Sequence, residues 1–227
     1  MLKQLLTLIA GCILLTIYGY GQQDATQQWG ETITGKMAQF LPQPVPELAG
    51  HEPAGSGSNE VEKTWGDAVQ NWKYLHPRAE QAWWFDDPDL AQKWAAAKTA
   101  DEVRPLQGRE RSLRIEIHGN ESLDATLYRT RKQRQPSGTI KGHTVYRATD
   151  KTLGTPDAPA VFLAIYLGPE GFSNPAVEVP SLAAGPKCIS VMAWLQPRAD
   201  TLQADEAVAR KMLEAIDYDG LAKLIEP

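Results

Sequence analysis

The residues best suited to chemistry are few and widely spaced. Two cysteines, Cys12 and Cys188, and four histidines, His51, His76, His118 and His143, make up the soft ligands and imidazole bases of the chain. No two histidines stand four residues apart, the spacing that puts both rings on one helix face, and no cysteine pair accompanies them, so zinc-type spacing is absent. Cys188 forms a thiol–imidazole pair with His118 or His143 only if the fold brings them together. The alternation Cys188, Ser190, Met192, Trp194 instead places the thiol on a strand face among mostly apolar neighbours, where a cysteine packs and stays inert. The Gly55-Ser56-Gly57-Ser58 run lacks both the pattern and the strand-to-helix setting of a nucleophile elbow. No glycine-rich phosphate loop occurs. Paired carboxylates stand at Asp86-Asp87 with Asp89, and at Asp217 with Asp219. Glycoside cleavage needs two carboxyls facing each other across a cleft, whereas adjacent aspartates at a helix start are accounted for by capping and the helix dipole. The sequence therefore predicts no catalytic residue, no metal and no cofactor.

Three features point to binding. Between Arg104 and Arg147 ten Lys/Arg stand against four Asp/Glu, a local +6 in a chain of net charge -5. Arg129, Arg131, Lys132 and Arg134 fall where a predicted strand runs into KQRQPSGTIKG, which reads as a hairpin end with Ser137-Gly138 at its tip. Exposed positive charge there suits an anionic partner: an acidic protein, phospholipid head groups or a cell-wall polymer. The same charges also blunt an edge strand. The second feature is residues 168–186, GPEGFSNPAVEVPSLAAGP, nineteen residues with four prolines. Irregular loops beyond about 12–15 residues are usually functional or mobile, and Phe172 and Val177-Glu178-Val179 are the apolar contacts this one offers. Third, Trp65, Trp72, Trp83, Trp84 and Trp94 lie within one stretch of thirty residues. They form either an aromatic box for a small ligand or helix stripes packed on a sheet.

The elements that position these residues follow from periodicity. With 227 residues, 42% hydrophobic and 22% charged, the chain has the composition of one folded domain with accessory segments. Its acidic balance argues against a general nucleic-acid binder. Lys3 followed by the charge-free residues 5–21 reads as a signal peptide or an N-terminal membrane anchor. A lipoprotein box at Cys12 is disfavoured, because only about six apolar residues precede it and the most apolar part follows. Residues 24–41 carry Trp29, Ile33, Met37 and Phe40 or Leu41 at helical spacing, and the Pro/Gly/Ser-rich residues 42–58 read as a spacer. A helix is predicted from Asn59 through Val61, Trp65, Ala68 or Val69, and Trp72, and another from Asp87-Pro88. Strands are predicted at 112–117, 123–131, 144–148, 160–167 and 187–195, and a terminal helix at 204–216.

The expected fold is α+β: a largely antiparallel sheet of about five strands, with Trp-rich N-terminal helices and a C-terminal helix packed on it. The expected domains are a leader at 1–21, a helix and spacer at 22–58, and one domain at 59–227. The strand–loop–strand–helix ending is similar in topology to the PsbP-type sandwich over about half the chain. No motif carries that similarity and no functional residue comes from it. The expected function is that of an exported, non-enzymatic protein-binding module of the cell envelope, of inhibitor or immunity type or an accessory factor of an assembly. Its partner is another protein, with a membrane tether through residues 5–21 and no nucleic acid. The alternative is a carrier of a small apolar or aromatic ligand held by the tryptophans.

Overall fold

The computed structural model describes residues 28–48, 60–63, 75–107, 109–121, 127, 134–169 and 184–225. A helix at 28–38 (α1) and a single 3-10 turn at Pro46–Leu48 precede the strands β1 (Glu60–Lys63) and β2 (Leu75–Trp84). Two short helices follow, α2 (Pro88–Ala96) and α3 (Ala100–Val103), and then β3 (Ser112–Gly119). The strands β4 (Gln135–Ile140), β5 (His143–Asp150), β6 (Ala160–Leu167) and β7 (Ile189–Gln196) come next, and α4 (Leu202–Glu214) and α5 (Tyr218–Ala222) close the chain. The seven strands form one sheet in the order β1-β2-β3-β7-β6-β5-β4, every neighbouring pair antiparallel. The protein is thus α+β, as its sequence predicts. Two meanders, β1-β2-β3 and β4-β5-β6-β7, meet at the β3–β7 seam.

One face of the sheet is apolar and covered by helices. Ile115 and Ile117 of β3, Val191 and Ala193 of β7, and Leu163 and Ile165 of β6 pack there against Trp29, Ile33 and Met37 of α1 and Ala209, Met212 and Leu213 of α4. The stripe at 29, 33 and 37 has the four-residue spacing that keeps side chains on one helix face, which is why α1 docks flat. Residues 28–48 therefore belong to the body that the sequence reading begins at 59, since Leu48 lies in the same core. The Trp29 indole donates to the Ala184 carbonyl at 2.8 Å, fixing α1 to the chain just before β7.

Several sequence expectations need correction. Residues 60–63 are a strand rather than the start of a helix, and Trp83 and Trp84 lie on β2 rather than on a helix. The sheet itself, with seven strands, is the antiparallel one expected. The strand expected at 123–131 lies outside the described residues except for Leu127, which is in a turn. The hairpin tip is not Ser137-Gly138. Lys141 and Gly142, with φ of 48° and 84°, make the β4–β5 turn, the two consecutive positive values of a type I′ hairpin. Gly138, φ 91°, sits instead in a bulge between Pro136 and Thr139. That bulge and Pro136 blunt the edge strand β4.

Helix α2 begins as expected: Asp87 caps it, accepting from the Leu90 amide at 3.0 Å, with Pro88 in the first turn. Among the described residues no helix is long and apolar enough to cross a membrane. The leader at 1–21 lies outside them.

Candidate functional site

Alternation along β3 divides its side chains between the two faces. Leu113, Ile115 and Ile117 enter the helix-covered core, while Arg114, Glu116 and His118 point to the opposite face. The register places those three in rows across the sheet. Arg114 stands between Ala82 of β2 and Trp194 of β7, Glu116 between Glu80 and Met192, and His118 between Arg78 and Ser190. The opposite face is thereby split. Beyond β7 it is apolar: Leu127, Ala148, Ala160, Phe162, Ala164 and Met192 form a second small core, with Phe162 and Trp194 rings stacked at 5.8 Å. On β2 and β3 it is ionic.

The centre of the ionic half is His118, only 6% exposed. Its Nε2 lies 2.8 Å from Glu116 Oε2 and its Nδ1 2.8 Å from Glu121 Oε2. A ring nitrogen facing a carboxylate oxygen at that distance must donate, and only the imidazolium donates from both. Burial works against the charge, but the two glutamates overcome it and raise the His118 pKa to about 10. Burial likewise raises Glu116, yet the hydrogen bond from His118 and the charges of His118, Arg78 and Arg114 hold it below the ordinary carboxylate value. Arg78 approaches Glu80 at 3.4 Å, and Arg114 approaches Glu80 at 3.7 Å and Glu116 at 3.6 Å. Three cations thus meet three carboxylates, and Arg114 also lies over the Trp194 ring at 5.0 Å.

The turn after β3 is tied down beside this cluster. Gly119 lets the backbones close, since a Cβ there would sit 2.9 Å from Pro77 Cγ. Asn120, φ 59°, accepts the Lys187 amide on its Oδ1 at 2.7 Å and donates its own amide to the Cys188 carbonyl at 2.9 Å. Cys188 is buried, and its thiol donates to the Glu121 carbonyl at 3.4 Å. Burial pushes that thiol up to about 12, and Tyr166, beside it, is raised by burial as well. The fold therefore brings Cys188 and His118 to the same end of the sheet without joining them, because Glu121 stands between. An imidazolium with both N–H groups engaged has no lone pair for a proton or a metal, and a thiol near 12 supplies almost no thiolate at neutral pH.

The expected binding residues scatter. Arg129, Arg131, Lys132 and Phe172 lie outside the described residues, as do Trp65 and Trp72. Arg134 enters β4 with its guanidinium 5.8 Å from the Tyr146 ring centre. Trp83 is wholly buried in the helix-covered core, and its Nε1 finds no acceptor among the described residues. Trp84, next along the strand, projects from the opposite face and is 45% exposed. Trp94 is half-buried on α2. Adjacent strand residues point to opposite faces, so Trp83 and Trp84 cannot line one box.

Much of the local positive charge is spent inside. Arg111 donates to Asp205 at 2.9 Å and to the Asp86 carbonyl at 2.7 Å, and Arg147 donates to Glu206 at 3.0 Å. Lys141 donates to the Ile216 carbonyl at 2.8 Å. Arg111 and Arg198, the latter 2.5 Å from Asp87, tie the base of α2 to the start of α4. Asp205 is 2% exposed, and burial holds its pKa above the ordinary value despite Arg111.

Sequence reasoning missed Arg78, Glu80, Glu116 and Glu121, and it read His118 only as a scattered histidine at a turn. The signal was present as an unusual density of charge on one strand face, Arg114, Glu116 and His118, which solvent exposure explained equally well.

No protein-family model, curated protein or solved structure matches this chain.

Proposed function

We propose that the chain is an exported, non-enzymatic protein-binding module of the cell envelope, docking an acidic partner through Arg129, Arg131, Lys132 and Arg134. Phe172, on the long connection between β6 and β7, supplies an apolar contact. The observation that supports this reading is how the cations are distributed. Arg111, Arg114, Lys141 and Arg147 are each paired with acceptors from other elements, Arg114 with Glu80 of β2. The run at 129–134 concentrates three arginines and a lysine within six residues of sequence, immediately before the edge strand β4. The state of the imidazole and the thiol is consistent with this: His118 is held as a cation and the Cys188 thiol is raised to about 12. Export rests on the charge-free residues 5–21, and removal of that leader or its retention as an anchor is decided by the mass of the mature protein.

The test is affinity capture of the tagged protein from its native envelope, run in parallel with a variant carrying Arg129→Glu, Arg131→Glu and Arg134→Glu. One protein retained stoichiometrically, lost from the variant and lost as salt is raised, is the expected result. Retention indifferent to both charge reversal and salt overturns the basic-surface reading. The alternative, a carrier of a small apolar or aromatic ligand, has one observation in its favour: the buried Trp83 indole N–H without an acceptor among the described residues. Quenching of tryptophan fluorescence on ligand titration, abolished by Trp83→Phe, is its test.

A further inference from the structure

The buried cluster around His118 is more than charge neutralisation, because its geometry couples a proton to a piece of backbone. Glu116 belongs to β3, but Glu121 lies beyond the turn, and the imidazolium bridges the two. The same turn is tied to the start of β7 through Asn120 and through the Cys188 thiol, which meets the Glu121 carbonyl. Among the described residues, the groups facing His118 are Arg78 and Glu80 from β2, Arg114 and Glu116 from β3, Glu121 from the turn, Ser190 and Cys188 from β7 and its approach, and Tyr166 from β6. With His118 protonated, the ionic members balance, three against three. Without that proton, three carboxylates face two arginines among these described residues, and a neutral ring, with one N–H, can donate to only one of the two glutamates.

We propose that Glu116, His118 and Glu121 form a proton-held clasp: the bridging proton holds the turn at residues 119–121 back against β3, beside the start of β7, and its loss releases that turn while the rest of the sheet stays folded. The sheet survives because its main core, from Trp29 to Leu221, is apolar and does not respond to pH. The two groups nearest the turn do not compete for the proton, since burial keeps the Cys188 thiol and the Tyr166 phenol protonated. This inference is independent of the binding surface at 129–134.

Cys188 reports the state of the clasp, because it is buried under Glu121. The experiment alkylates the full chain with iodoacetamide at pH 6 and pH 9 and locates the label at Cys188 by mass spectrometry. Each rate is divided by that of the urea-unfolded chain at the same pH, which removes the intrinsic titration of the thiol. Circular dichroism is recorded alongside. A proton bound more tightly when the clasp is closed makes opening easier by up to tenfold per pH unit above the ordinary histidine value. The expected result is a normalised rate at least tenfold higher at pH 9 than at pH 6 with unchanged circular dichroism. In His118→Gln the rate is high and independent of pH. Should that variant not fold, Glu121→Gln serves, with the pH response reduced. A wild-type rate that is flat between pH 6 and pH 9 overturns the proposal. So does a pH response that persists undiminished in the variants, or one that appears only together with loss of the whole fold.

Discussion

The two faces of this sheet bury nearly the same strands by opposite means. On the helix-covered face β3 contributes Leu113, Ile115 and Ile117, all fully buried among carbon. One residue out of phase, the same strand contributes Glu116 at 3% and His118 at 6% exposure, each satisfied by a named charge. Burial alone therefore does not separate a core from a site. What separates them is dependence: the apolar face needs only volume, whereas the ionic face needs every partner and one proton. That difference also bears on function, because groups locked into mutual neutralisation are poor acids, bases or nucleophiles.

The comparison can be broken most forcefully by single deletions on each face. Trp83→Ala on the covered face is expected to cost about 3–5 kcal/mol at any pH, from lost burial and the cavity left behind. His118→Leu on the ionic face is expected to cost about as much, since it removes the cation that Glu116 and Glu121 share. The faces then part company. Adding Glu121→Leu to His118→Leu removes one charge of each sign and restores balance, so the double variant should recover most of the loss, whereas no second deletion rescues Trp83→Ala. Urea unfolding of the four proteins checks this, and a double variant weaker than the single one would sink the idea that charge balance stabilises this face.

A smaller effect sharpens the same contrast. The pKa of His118 is raised in the folded state, from about 6.5 to about 10. Its contribution is fully present below about pH 6.5 and is lost as pH rises towards 10, at up to about 1.4 kcal/mol per unit. The Glu116 pKa is depressed, so its contribution is present above the ordinary 4.5 and is lost as pH falls. Stability should therefore peak between about pH 4.5 and 6.5, and His118→Leu should flatten the alkaline limb. Smallest of all, reversing Arg129, Arg131 and Arg134 should change stability by no more than about 0.5 kcal/mol, the usual range for surface positions, while abolishing capture of the partner.

How much of this was legible depended on whether the signal was local. The strands β6 and β7 announce themselves as runs apolar at nearly every residue, and β3 as strict alternation. Helices α1 and α4 show four-residue stripes, and α2 shows an aspartate cap followed by proline. By contrast, β2 reads Leu-His-Pro-Arg-Ala-Glu-Gln-Ala-Trp-Trp, where small alanines, a glutamine and a proline weaken the alternation. Its place between β1 and β3 outweighed those residues' own preferences. In β4, Pro136 and Gly138 look like a turn because they are the residues of its bulge, and the true turn at Lys141-Gly142 was passed over. The His118 cluster was illegible for a different reason. Glu116 and His118 occupy what alternation assigns to water, and their burial depends on β7, some seventy residues away, and on a turn that brings Glu121 back onto the ring.

The most direct measurement is the 15N and 1H spectrum of the His118 imidazole followed from pH 5 to pH 9. The account predicts an imidazolium with both N–H protons slowly exchanging and no titration before the alkaline end of that range. A ring that titrates near pH 6.5 through a neutral tautomer would contradict it. His118 would then be a working base beside Cys188, and the non-enzymatic reading would fall with it.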